Sequence, residues 1–535
     1  MNLPDPLRSA LPGATRLPGL PPTLGTQVLR ALRRYPSRTA FAWEGGSMTY
    51  AATADLIGRM QAVLTHHGVQ RGRCVAVLAA NKASAWCAGI AAQLQAATTT
   101  QLHPRGSLAD HRAQLQSSGA EWLVADPLGF GPRCAELAAD WAGVPGRSVL
   151  TLSPADYGSD LLAAAQTVGS ATPVDLAQAD DVCALSFTGG TTGQSKAAIR
   201  LHRDAVSGSL AIGADFELPS CPRYLAVAPI SHVAGTKIIP TLMRGGTVHL
   251  LSSFDPEHML TVMQRERIDT TLLVPTMIYT LLDCPALART DLSALQLMLY
   301  GASPMSPARL LEGLERIGPV FAQLYGQTEC YPIAVLPKAD HDPARPHLLA
   351  ACGFACSNVD LALLDDAGQP VAPGSPGEIC VRSPTVMQGY LNAPEQTAEA
   401  LAGGWLHTGD VATMDDEGRL FIVDRKKDMI VSGGFNVYTR EVEDVISAMS
   451  GVAMVAVFGI PDARWGEAVT AYVVRQPGAD VHAEALVQQV KVAKGAAHAP
   501  KHVEFVDTLP LTSVGKIDKK ALRERFWQGQ ARRVG

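Results

Sequence analysis

What is scarce in this chain narrows the field first. Ten cysteines are scattered through 535 residues, with no Cys-x-x-Cys pair. Cys352 and Cys356 lie closest, and no second pair completes a zinc-type set. Most of the others, Cys183 and Cys380 among them, sit in apolar runs where a reduced thiol packs as a small hydrophobe. This excludes a disulfide framework and implies a reducing compartment, with a cytoplasmic location expected. Excess positive charge is also missing. The formal net charge is −5, which argues against a nucleic-acid partner, since that normally calls for a basic face. The one early basic cluster, Arg30, Arg33, Arg34 and Arg38, reads as a solvated helix face. No apolar run reaches the roughly 20 residues of a membrane span. Met1 to Pro22, rich in proline and leucine, lacks the charged start and continuous apolar stretch of a signal peptide. Aromatics make up only 6% of the chain, whereas hydrophobic residues of all kinds make up 47%. Burial is therefore not limiting, and this length exceeds one core, so two or more domains are expected.

From about residue 26 to 340, strand and helix patterns alternate. Arg73 to Ala79 reads as a buried strand, with Ala83 to Ala97 as a helix packed on it. Further strands are read at Tyr224 to Ala228, Thr247 to Leu251, Thr270 to Pro275, Leu295 to Tyr300 and Val320 to Tyr325. Pro307 to Ile317 has helical spacing, with Leu310, Leu311 and Leu314 on one face. Short apolar strands alternating with helices predict stacked, mostly parallel sheets. After about 350 come Val359 to Leu364, Gly377 to Arg382 and Arg419 to Val423, with turn sequences at 365–368 and 415–418. These predict a small antiparallel β subdomain. A charged connector follows at Asp424 to Asp428. Beyond it, helical patterns at Arg440 to Met449 and Ala483 to Lys494 flank strands at Val452 to Phe458 and Ala468 to Val474. The fold class is thus α/β: a large N-terminal domain, residues 1–426, and a smaller C-terminal α+β domain, residues 427–535.

The densest chemical signal is the run from Phe187 to Lys196. It follows a buried strand at Val182 to Ser186 and precedes a second apolar pattern. A loop of glycines and hydroxyl residues can turn its N–H groups and hydroxyls toward phosphate oxygens, and Lys196 adds a point charge. The spacing is not that of a Walker A loop, nor is it a Gly-x-Gly-x-x-Gly dinucleotide fingerprint.

Taken with three later segments in order, this loop resembles the phosphate-binding signature of the adenylate-forming superfamily. That group contains the acyl-CoA synthetases, peptide-synthetase adenylation domains and luciferases. The resemblance extends from about residue 26 to 526. In the loop, Thr188, Gly190, Thr191, Thr192, Gly193 and Lys196 match, while Gly189, Ser195 and Ala197 replace serine, proline and glycine. The second segment is Tyr325 to Glu329. The resemblance implies that Tyr325 stacks on adenine beside Gly326, that Thr328 meets a phosphate and that Glu329 holds Mg²⁺. Gly301, Ala302 and Ser303 resemble the backbone that lines the adenine. The third runs from Gly404 to Asp410, where Asp410 suits the ribose hydroxyls, Trp405 reads as packing and Arg425 follows as a second ribose or phosphate contact. The fourth is Leu509 to Asp518, in which Lys516 matches the catalytic lysine set against the bound carboxylate and α-phosphate. Lys427 matches the hinge position between two orientations of the C-terminal domain. Gly433 and Gly434 match the loop along the pantetheine tunnel.

The resemblance implies ATP, Mg²⁺ and coenzyme A as cofactor and co-substrates, and an ATP-dependent acid–CoA ligase as the activity. CoA is expected as the acceptor because no carrier domain follows the last motif. A pantetheine thiol on a separate carrier protein is the alternative, and a homodimer is compatible with either. A non-catalytic relative would be signalled by loss of Lys516, Glu329 or Asp410, and all three are present. Pro229 to Gly235 matches the border of the acid pocket, with His232 as a wall or gate residue. No acidic residue lies between Tyr224 and Leu250 to pair a substrate ammonium, which disfavours amino acids. Leu324 replaces the small residue that opens a long acyl tunnel, and Cys330 adds further bulk. A compact acid, aromatic or of short-to-medium chain, is therefore expected.

Overall fold

Alternation along single strands explains the layering. Leu297 and Leu299 belong to one core, and Met298 and Tyr300 to another on the opposite face. A strand that buries both faces needs helices on each side, and Leu297–Gly301 and Phe321–Tyr325 are buried throughout. The computed structural model describes residues 22–188, 195–426, 428–433, 435–462, 464–512 and 515–527.

Among these, the larger sheet has the order Phe354–Ala355, Ala334–Leu336, Phe321–Tyr325, Leu297–Gly301, Thr270–Leu273, Arg223–Ala226, Thr247–Leu250, Thr39–Trp43, Gly46–Thr49. Its central pairings are parallel, and antiparallel strands close both edges. A second sheet is parallel apart from Val182–Phe187 against Ala197–Leu201. Between the sheets lies the main core, where Val75, Val77 and Val124 of one sheet share a cluster with Phe41, Leu272 and Leu299 of the other. Helices 24–34, 50–66 and 83–94 contribute to that middle layer. Helices 256–265, 275–283 and 307–316 cover the outer face of the larger sheet, and each begins with proline at its first turn. The result is a stack of helix and sheet layers whose parallel strands all end toward one edge.

Asp360–Leu364, Gly377–Arg382, Leu406–Met414 and Leu420–Arg425 form the antiparallel subdomain. The C-terminal unit is built on the long hairpin Val452–Asp462 and Gly466–Arg475, packed by helices 439–447 and 483–494. The charged connector is anchored at its start. Strand Leu420–Arg425 extends into it, and Asp424 is only 6% exposed. Its carboxylate accepts from the backbone N–H and hydroxyl of Thr439, the first residue of the next helix. A helix N-terminus stabilises an anion, so Asp424 finds in tertiary structure a partner that neighbouring residues did not announce. All ten cysteines are free thiols, nine of them buried. Among the described residues no helix is long and apolar enough to cross a membrane.

Candidate active site

The site grows from the C-terminal ends of the parallel strands. Gly301 ends one of them. A β-carbon there would lie 2.2 Å from the carbonyl oxygen of Leu324, so only glycine lets the two chain ends run side by side. Ala302 follows at φ +66°, an uncommon conformation for a residue with a side chain and one that collects at functional sites. On the neighbouring strand, Tyr325 donates its hydroxyl to Asp410 Oδ2 at 2.7 Å, and Gln327 Nε2 donates to the same oxygen at 2.6 Å. Asp410 lies directly across from Arg425 on adjacent antiparallel strands, and Arg425 Nε is 3.3 Å from Asp410 Oδ1. Burial and the adjacent carboxylate push the Tyr325 phenol well above its ordinary pKa, so it stays a donor. The Asp410 charge in turn raises the Arg425 pKa.

Glu329 forms the next contact along the edge. Its Oε1 accepts from the Tyr390 hydroxyl at 2.6 Å. The ring of Tyr390 lies 4.8 Å from Lys196 Nζ, measured to its centroid, so one tyrosine touches both the Lys196 loop and Glu329. This placement follows from backbone pairing. The segment around Tyr390 runs against the strand after Lys196, with Leu391 N bonded to Ala197 O and Ile199 N to Gly389 O. Met387 N donates to Glu329 O at 2.7 Å. Arg200 Nη1 reaches the same carbonyl at 3.1 Å and Thr385 O at 2.7 Å. The neck of the loop is closed by Thr188 N to Lys196 O at 2.8 Å and by the Ser195 hydroxyl to Thr188 O at 2.5 Å. Thr328 and Gly326 are half-buried on the turn between Tyr325 and Glu329. Gly190, Thr191, Thr192, Gly193, Lys427 and Gly434 lie outside the described residues.

Lys516 arrives from the C-terminal unit on a tight loop. Thr512 N donates to Lys516 O at 2.7 Å, and Lys516 N donates to Thr512 Oγ1 at 3.2 Å. The preceding Gly515 accepts from Thr276 Oγ1 at 3.4 Å, just past the end of strand Thr270–Leu273. The loop therefore meets the same sheet edge that carries Gly301 and Tyr325. Among the described residues, polar contacts that join the two units include Ser306 to Ser447 and Arg440 to Ala350 O. Gly433 packs against Trp465 within the C-terminal unit.

Toward the second sheet the chemistry changes. His232 meets His103 with ring centroids 4.4 Å apart, which brings the ends of both sheets together. Burial holds His103 down to about 3 and His232 to about 4, so both imidazoles are neutral near pH 7. The segment from 229 to 235 is held by Asn81. Its Nδ2 donates to Leu251 O at 2.9 Å, and its Oδ1 accepts from Ile230 N at 2.9 Å. Gly235 allows the turn, since a β-carbon would lie 1.8 Å from Ile230 O. Leu324 is buried against Gly301 in the inter-sheet core.

The structure places Cys330 differently from the pocket position expected of it. Its thiol is wholly buried in the subdomain core, 3.3 Å from Thr385 Oγ1. Alternation along the chain sends Tyr331 to the other side instead, against Phe216. Trp405 stacks under Arg382, whose guanidinium carbon is 3.9 Å from the ring centroid. Glu378, Cys380 and His407 cluster within 4.8 Å. Lys426 stands 3.8 Å from Glu378, and burial pushes the Cys380 thiol up to about 12, so this trio reads as internal packing. Sequence reasoning missed Gln327, Tyr390, Arg200, Asn81 and His103. Of these only Gln327 sits inside a segment already singled out.

Comparison with known proteins agrees with this geometry. The AMP-binding enzyme family matches residues 28–391, and the AMP-binding enzyme C-terminal domain matches 441–516. A medium/long-chain-fatty-acid–CoA ligase of Mycobacterium tuberculosis is 40% identical, covering 96% of this chain and 91% of its own length. A feruloyl-CoA synthase of an Amycolatopsis species is 36% identical, over 94% of this chain and 99% of its own. Among solved structures, an amide bond synthetase from Marinactinospora thermotolerans superposes with a TM-score of 0.86 at 34% identity, covering 94% and 99% of the two chains. The chain belongs to the AMP-binding enzyme family, in its AMP-forming acyl-CoA synthetase branch.

Proposed function

We propose that this chain is an ATP-dependent acid–CoA ligase whose substrate is a compact carboxylic acid, aromatic or of short-to-medium alkyl chain. Carboxylate and ATP give acyl-AMP and pyrophosphate, and the CoA thiol then displaces AMP to give the thioester. The observation that carries this reading is the continuous run of contacts from Lys196 through Tyr390 to Glu329 beside that from Tyr325 and Gln327 to Asp410 and Arg425. A nucleotide laid along this edge meets an aromatic ring at one end and cations at the other.

In this reading Asp410 accepts the ribose hydroxyls, since a carboxylate offers about four lone-pair sites. Tyr325 and Gln327 already hold one of its oxygens in place. Gly301, Ala302 and Ser303 line the adenine, while Thr188, Thr328 and Lys196 face phosphate. Attack of a carboxylate on ATP brings like charges together, so Lys516 supplies a cation where negative charge builds. Loss of one such fixed contact typically costs about 3–4 kcal/mol of barrier. Glu329 is a hard oxygen donor suited to Mg²⁺ alongside the ATP phosphates. Bound there, the ion would neutralise phosphate charge during transfer. The N-terminal domain, 1–426, holds both substrates, and the C-terminal domain, 427–535, swings about Lys427 between the two half-reactions.

Leu324, packed on Gly301, closes the space a long chain would need. Acid-dependent ATP–pyrophosphate exchange with benzoate, hexanoate and palmitate tests this. Hexanoate or benzoate is expected to exceed palmitate, and Leu324→Gly is expected to lengthen the accepted chain. Preference of the unmodified enzyme for palmitate would sink the compact-acid reading. Thioester formation with free CoA against a phosphopantetheinylated carrier protein identifies the acceptor.

A further inference from the structure

Lys237 is wholly buried, yet it forms no ion pair among the described residues. Its ammonium lies between two aromatic rings, 4.9 Å from the Phe216 centroid and 4.7 Å from that of Tyr331. It donates to the Tyr331 hydroxyl, and to Thr236 Oγ1 at 2.9 Å. An ammonium carries three donors, and these hydroxyls account for two. Its titratable neighbours are Tyr331 and the buried thiol of Cys356, with Tyr224 beyond Tyr331, none of them an acid of ordinary strength. Asp215, a carboxylate beside Cys356, accepts from the backbone N–H and hydroxyl of Ser357. Burial pushes the lysine well below its ordinary pKa. Packing alone would be served better by a hydrophobic side chain of similar length, because a buried polar group costs free energy that a matched apolar one does not.

The location gives the group a use. Lys237 follows the 229–235 segment directly. Tyr331 lies six residues past Tyr325, and its ring presses on the backbone of Gly326, where a β-carbon would come within 2.6 Å of it. Thr236, which the amine also contacts, is exposed. The lysine and the tyrosine hydroxyl thus form a polar spot against the Phe216 and Tyr331 rings, at the border of the apolar core that also contains Ile238 and Leu324.

We propose that Lys237 and the Tyr331 hydroxyl are specificity-determining groups that select acids bearing an acceptor oxygen at the end remote from the reacting carboxylate. This rests on the assignment of 229–235 and Leu324 to the acid pocket. The oxygen belongs to a carbonyl or to a second carboxylate, since both accept from the same donors. A site built to bond such a group discriminates strongly against the analogue lacking it, because its own donors are then left unpaired.

The test is ATP–pyrophosphate exchange with matched acids: hexanoate, 5-oxohexanoate and hexanedioate, and 4-ethylbenzoate against 4-acetylbenzoate. In the unmodified enzyme, kcat/KM for at least one oxygenated acid is expected to exceed its plain counterpart by about tenfold or more. The 5-oxo and dioic arms separate a neutral acceptor from an anionic one. Lys237→Met is expected to reduce the preference to about twofold or less, with turnover of the plain acid retained and thermal stability unchanged or raised. Tyr331→Phe, which keeps the ring, is expected to lose part of the preference and serves if Lys237→Met does not fold. Plain acids used equally well or better, or a preference that survives both substitutions, would overturn the proposal. Exchange with none of the acids would instead refute the acid-ligase reading itself, and this inference with it.

Discussion

The two halves of the crevice handle charge in opposite ways. On the nucleotide side, Asp410 is met by the neutral hydroxyl of Tyr325 and the cation of Arg425, and Glu329 by the neutral hydroxyl of Tyr390, whose ring also lies against Lys196. On the acid side there is no carboxylate from Tyr224 to Leu250, and the bases His103, His232 and Lys237 are all displaced toward their neutral forms by burial. A polyanion is served by fixed charges and dipoles that need no rearrangement during reaction. An acyl group is served by dry walls, where charge is disfavoured. In the proposed reading one crevice does both, because its edges come from different sheets joined at the His103–His232 contact.

The strongest way to break the comparison is to remove the nucleotide-side charge. Asp410→Ala takes away the acceptor for Tyr325, Gln327 and Arg425 together. Hydrogen bonds to a charged group are worth about 1.5–3 kcal/mol each, so loss of the two proposed ribose contacts implies a fall of about a hundredfold or more in exchange rate at low ATP. Most of this is expected in KM for ATP, with the KM for the acid unchanged. Asp410→Asn keeps one acceptor and should recover part of the loss. A rise confined to the acid KM would contradict the division between the two sides.

A smaller effect is expected at Tyr390. Tyr390→Phe keeps the ring beside Lys196 and removes only the bond to Glu329. One charge-assisted hydrogen bond corresponds to roughly a tenfold change. A shifted Mg²⁺ dependence of exchange would locate the defect at Glu329, whereas Tyr390→Leu should also weaken ATP binding through Lys196. Equal behaviour of the two variants would show that the ring contact contributes nothing.

These residues also mark how far the sequence could be read. The stacked sheets were legible because each strand carries its own apolar run, as in Leu297–Gly301, and each helix its own spacing. Thr188, Tyr325, Asp410 and Lys516 could be singled out as candidates because they stand inside dense local patterns. Tyr390 was not, since its role depends on its segment pairing with Ala197–Ile199, about 190 residues earlier. Asn81 was silent for the same reason: its amide closes a contact between two sheets. The partner of Asp424 was not legible either, because the helix end that faces it becomes its neighbour only in the folded chain. Cys330 was assigned for the bulk it adds where the family's pattern has a smaller residue, but its thiol is buried against Thr385 in the subdomain core. Local chemistry was readable, then, and the partners that hold it in place were not.

The smallest expected effect sharpens the acid side of the comparison. His232 has a folded pKa of about 4, below its ordinary value of 6.5, because burial disfavours the imidazolium. Between those two pH values the unfolded chain binds a proton at this position and the folded chain does not. Folding stability therefore rises with pH across that window, is fully present above about 6.5, and stops changing with this group below about 4. His103, faced by His232, Arg105 and His111, adds a contribution of the same sign that extends to about 3. Removing one titrating ring, as in His232→Gln, should flatten the rise in melting temperature between pH 4 and 6.5 while leaving its slope above pH 7 unchanged. Thermal melts of both proteins across pH 4–8 provide the comparison. An unaltered slope would mean that His232 is solvated when folded, and the acid side would then lose its claim to be dry.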